Sequence, residues 1–127
     1  VFSIEVHGIE WDWFACDQVG QVALISSGGS GQVPRVLLAR EAEIRALQDF
    51  LRLRNDADSW RLAAEHGFLG YDVDVRGGPF RRLTRPARAR NLEDVLEPHR
   101  SLIARAKIRG LFSRLRKLDC ALVSCAE

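Results

Sequence analysis

The chain has 127 residues, 46% hydrophobic and 28% charged, with a net charge of +2. That length and balance predict one soluble globular domain, 1–127, large enough to bury a core without staples, and exclude a low-complexity or disordered chain. No apolar run approaches the ~18 residues of a membrane-spanning helix. The opening VFSIEVHGIE lacks the basic-then-apolar pattern of a signal peptide. The chain contains no Met.

The three cysteines are Cys16, Cys120 and Cys125. An odd number without a CxxC predicts free structural thiols and a reducing, cytoplasmic location. Charge is uneven. Residues 1–75 hold 6 Arg, no Lys and 12 acids, net −6, whereas residues 76–127 hold 11 Arg, 2 Lys and 5 acids, net +8. Either the basic half meets a partner, or the halves neutralise each other within the fold.

The elements follow in order. Ile9 to Cys16 alternates as a strand, with Ile9, Trp11, Trp13 and Ala15 on one face and Glu10, Asp12, Phe14 and Cys16 on the other. Asp17-Gln18-Val19-Gly20 is a turn in which Asp17 bonds the backbone ahead and Gly20 takes positive φ. A three-residue loop closing in a bulge pairs Ala15 with Ala23 and Trp13 with Ile25. Both faces of this hairpin are apolar, where an antiparallel pair usually leaves one polar. Either packing layers cover both faces, or the face of Trp11 and Trp13 is a partner surface.

Gly28 to Gly31 reads as a flexible connection. It lacks the Lys-Ser/Thr of a phosphate loop and any GxGxxG. Val33-Pro34 leads out in extended form. Residues 40–54 form an amphipathic helix with Ile44, Leu47 and Leu51 on one face and Phe50 beside them. Asp58 caps a short helix, Ser59 to His66, that Gly67 stops in the left-handed region. Tyr71 to Arg76 and Pro79 to Arg85 form a second hairpin about Gly77-Gly78, pairing Val75 with Phe80 and Asp74 with Arg81. Asn91 caps a helical turn, and Pro98 opens a helix through Lys107 with Leu102, Ile103 and Ala106 on its apolar side. The tail from Leu111 shows no clear period, and Cys120 to Ser124 is a candidate last strand.

His7, His66 and His99 have no Cys or His at metal-ligand spacing, so neither metal nor cofactor is expected. Asp12 and Asp17 fall on opposite faces of one strand and cannot act as an acid–base pair. No nucleophile elbow surrounds Ser26 and Ser27, so no catalytic set can be nominated. Arg76, Arg81, Arg82, Arg85, Arg88 and Arg90, with Phe80 for stacking, form a candidate phosphate or anion surface.

The block Asp12-Trp13-Phe14-Ala15, Asp17, Gly20, Val22-Ala23, Gly28 to Gly31 and Val33-Pro34 resembles a signature of small uncharacterised bacterial proteins. Tyr71-Asp72 and Gly78-Pro79-Phe80-Arg81-Arg82, closing at Pro86, look similar to the same group. Together they cover about 40 residues. The family offers no catalytic residues to carry over. The resemblance implies bacterial origin, the fold, and an immunity- or accessory-factor role of the kind encoded near toxins.

The expected fold is α+β, an antiparallel sheet of two hairpins with two to three packing helices. The alternative is a small, strongly bent barrel, if the tail supplies a closing strand. The expected function is non-enzymatic protein interaction, with another protein or a second copy as partner and no membrane. Binding of RNA or DNA by the Arg-rich half is the alternative.

Overall fold

The computed structural model describes residues 3–5, 11–27, 32–53, 58–73 and 78–125. Strands β1 (Ser3–Glu5) and β4 (Gln32–Pro34) form a small antiparallel pair. The main sheet contains β2 (Asp12–Cys16), β3 (Val22–Ser26), β5 (Leu69–Val73), β6 (Phe80–Thr84), β7 (Ala106–Ile108), β8 (Lys117–Leu118) and β9 (Val123–Cys125). Its order is β8-β6-β5-β3-β2-β7-β9. Four helices accompany it: α1 (Arg35–Leu38), α2 (Glu41–Leu51), α3 (Asp58–Glu65) and α4 (His99–Ile103).

The architecture is mixed α+β, but the sheet is not a plain antiparallel one. β3 pairs β5 in parallel, and β2 pairs β7 in parallel. Parallel neighbours need a crossover, and the segment carrying α1, α2 and α3 provides one between β3 and β5. The two hairpins therefore stand side by side, joined through that parallel seam.

The sheet must also curl. Seven strands laid flat would separate β8 from β9 by about 29 Å, at ~4.8 Å per step. Only residues 119–122 join the end of β8 to the start of β9. Five Cα steps span at most about 17 Å. The strands bend into a half-barrel, close to the bent alternative expected from the sequence.

The first hairpin has the expected register. Trp13 faces Ile25, Ala15 faces Ala23, and Gly20 has φ +87°. Asp17 explains the turn. Its Oδ1 accepts the N–H groups of Val19 (3.1 Å) and Gln21 (2.9 Å). Its Oδ2 accepts the N–H of Phe112 at 2.9 Å, so one carboxylate fixes the turn and ties it to the tail.

The second hairpin differs. Phe80 pairs with Val73 and Arg81 with Asp72, two residues away from the expected partners Val75 and Asp74. A shift of two preserves side-chain parity, so the faces keep their composition. The loop is longer than the Gly77-Gly78 turn, and residues 74–77 lie outside the described residues, as do Gly28 to Gly31 and His7. The expected helix through Lys107 stops at Ile103, and Ala106 to Ile108 is strand β7. Ala106 and Ile108 are buried while Lys107 is exposed, which is strand alternation.

Both hairpin faces are covered. On the concave side Trp13 meets Phe80 edge-on at 5.9 Å, and Tyr71 meets Phe112 at 5.5 Å. The 111–116 segment fills the curl. Tyr71 Oη donates to the carbonyl of Leu115 (2.6 Å), and Arg82 donates to that of Phe112 (2.9 Å). On the convex side Phe14 meets Phe68 at 5.8 Å, and the face lies against helices α2, α3 and α4. Trp60 of α3 sits directly over Gly70, where an added Cβ would lie 2.5 Å from its ring.

Candidate functional site

Residues foreseen as contact surfaces divide into spent and available groups. Trp13 is 0% exposed and belongs to the core, so it is no partner surface. Trp11 is half-buried and packs against the same core. Phe80 is also 0% exposed, because β6 turns it inward against Trp13, and it cannot stack on a base.

The arginine set is similarly divided. Arg76 lies outside the described residues. Arg82 points into the curl and is spent on the carbonyls of Phe112 and Ser113. Arg90 Nε donates to the carbonyl of His66 at 2.7 Å, closing the end of α3. Arg81 is exposed opposite Asp72 in the sheet register. Arg85 and Arg88 are exposed and make no ion pair among the described residues. By contrast, Arg45–Glu41 and Arg61–Glu65 pair within helices, and Arg40–Glu43 and Arg100–Glu97 pair across helix starts. Exposed pairs of that kind contribute only a few tenths of a kcal/mol each.

A different surface emerges at the helix layer. Ile44, Leu47 and Leu51 of α2 are buried, yet Phe50 is 57% exposed. Its ring lies 5.1 Å from the His99 ring and 6.4 Å from that of His66. Three elements meet there: α2, the end of α3, and the start of α4. Leu96, 74% exposed, precedes α4, and its carbonyl accepts the N–H of Arg100 at 3.1 Å. Arg88 reaches the same neighbourhood through its backbone, whose carbonyl lies against Gly67 beside His66. The Phe50 ring packs beside both imidazoles, and a side chain restricted by such contacts loses less entropy on binding.

Sequence reasoning placed Phe50 beside the buried stripe. A helical wheel carries the missing signal, since 100° per residue sets it roughly 90° from the mean direction of Ile44, Leu47 and Leu51.

The thiols are quiet. Burial pushes Cys16 above the ordinary thiol range, and burial followed by the neighbouring Cys120 pushes Cys125 up to about 11. Neither favours the nucleophilic thiolate at neutral pH. Among the described residues, no cluster of His, Cys, Asp and Glu could hold a metal ion, and no helix is long and apolar enough to cross a membrane.

No protein-family model matches the chain, nor does any curated protein or solved structure.

Proposed function

We propose that the protein is a non-enzymatic protein-interaction module whose contact surface centres on Phe50, with His66, His99 and Leu96 around it. The observation that carries this reading is the 57% exposure of a phenyl ring that packs beside two imidazoles. An aromatic anchor with an adaptable polar surround is the usual make-up of an interface hot spot. The immunity- or accessory-factor role implied by the 11–34 block belongs to the same proposal.

The test is affinity capture from native bacterial lysate with the wild-type chain and with Phe50→Ser plus Leu96→Ser. A specific protein retained by the wild type and lost with the variant supports the reading. Equal capture by both, or none at low and moderate salt, removes it.

A second reading rests on Arg85 and Arg88, exposed and without an ion pair among the described residues. They suit phosphate groups of RNA or DNA. Replacing both with Ala is then expected to lower the salt slope of binding by about 1.4–1.8, near 0.7–0.9 per lost contact. Binding that ignores salt rules this reading out.

A further inference from the structure

A cleft of about 550 Å³ opens on the convex side of the sheet, at the turn end of the first hairpin. Its floor comes from strand pairing. Cys16 faces Lys107 in the β2–β7 register, and Lys107 faces Ser124 in the β7–β9 register, so the three share one face. Arg109, two residues after Lys107, also lines the cleft, as do Val19, Leu92 and Ile108.

The rim is fixed in advance. Asn91 Nδ2 donates to the Val19 carbonyl (3.0 Å), and Asn91 Oδ1 accepts the Glu93 N–H (3.0 Å). The Leu92 N–H donates to the Gly20 carbonyl at 2.6 Å. Gly20 comes so near that a Cβ there would lie 2.9 Å from Asn91 Oδ1.

The lining carries two cations, Lys107 and Arg109, and two carboxylates, Asp17 and Glu93, and the cations lack a salt-bridge partner among the described residues. The Lys107 side chain is exposed and makes neither hydrogen bond nor ion pair among the described residues. The Arg109 guanidinium makes one long hydrogen bond, 3.3 Å to the Ala121 carbonyl, and no ion pair among them. Asp17 borders the cleft, but its oxygens already accept three backbone N–H groups. Glu93 supplies the remaining negative charge. The volume lies within the roughly 300–1,000 Å³ usual for small-molecule sites, where a few polar groups orient a mostly apolar ligand.

We propose that this cleft binds a small organic anion, a phosphate monoester or a carboxylate, with its charged group between Lys107 and Arg109 and its apolar part against Val19 and Leu92. The site is separate from the Phe50 surface and does not depend on it. Phenyl phosphate and benzoate are the probes, titrated into the full chain at physiological salt and followed by backbone amide NMR. Saturable shifts at Val19, Leu92, Lys107 and Arg109 are expected, and the tighter probe identifies the headgroup. Lys107→Met and, separately, Arg109→Gln each weaken that probe about tenfold or more, as loss of a charged hydrogen bond does. Arg114→Ala, a control at another exposed cation, changes it less than twofold. The proposal is overturned if neither probe saturates. It is equally overturned if both cleft variants keep wild-type affinity with dispersed spectra, or if Arg114→Ala weakens binding as much as they do.

Discussion

Replacing Asp17 with Asn tests whether one carboxylate joins the first hairpin to the segment that fills the curl. Asp17 is 4% exposed and accepts three backbone N–H groups, from Val19, Gln21 and Phe112. The Asn oxygen can keep the two turn bonds. Its NH2 group must then face the Phe112 N–H, donor against donor. Losing a charge-assisted bond to a buried donor costs about 1.5–3 kcal/mol, and weakening the two turn bonds adds about 1 kcal/mol. Asp17→Asn should therefore cost about 2.5–4 kcal/mol. Asp17→Ala, which frees all three donors, should cost about 3–5 kcal/mol. Against a typical stability of about 5–15 kcal/mol, either is a large fraction. Urea unfolding followed by tryptophan fluorescence reads the change as a lower midpoint at unchanged slope. A loss below about 0.5 kcal/mol for Asp17→Asn would refute the account, because the Phe112 bond would then contribute nothing.

Three further outcomes are expected. Gly70→Ala drives a methyl into the Trp60 ring and Thr84 Oγ1, and overpacking of this kind should cost about 1–3 kcal/mol in a thermal melt. Phe50→Ala should change stability by less than about 1 kcal/mol, since its ring is largely exposed, while reducing partner capture; a large stability loss would reassign Phe50 to the core. Burial pushes the Tyr71 phenol from 10.0 up to about 12, with Arg82 pulling the other way. The folded protein then holds this proton at a pH where the unfolded chain has lost it. The resulting stability is complete below about pH 10 and is lost as pH rises through about 12. Denaturant midpoints measured across that window should fall more steeply for the wild type than for Tyr71→Phe.

The parts legible in the sequence are those set by local chemistry. Asp17 and Gly20 specify the first turn, and strand parity then places Trp13 against Ile25 without further information. Ile44, Leu47 and Leu51 likewise mark the buried side of α2. The second hairpin misleads because Gly77-Gly78 is a sufficient tight-turn signal, while the register of Phe80 against Val73 is decided by the sheet around it. Leu102, Ile103 and Ala106 satisfy a helical period, and only pairing of β7 with β2 and β9, remote in sequence, converts the last of them to strand. The candidate site was hardest to read. Arg82 and Arg90 look available until their targets are known, and those targets are backbone carbonyls 30 and 24 residues away. Composition carries no trace of such contacts.

The placement of β8 and β9 has a consequence for synthesis and handling. Residues 117–125 supply both borders of the main sheet, one on β6 and the other on β7. Until that short stretch has left the ribosome, two strands with unpaired N–H and C=O groups stay open at once. A chain shortened before Lys117 would leave the five-residue β6 as an open rim and should self-associate there by strand addition. Among the described residues the sheet ends in strands of two and three residues, too short to template another molecule. One short segment thus guards both borders of the described sheet against its own kind.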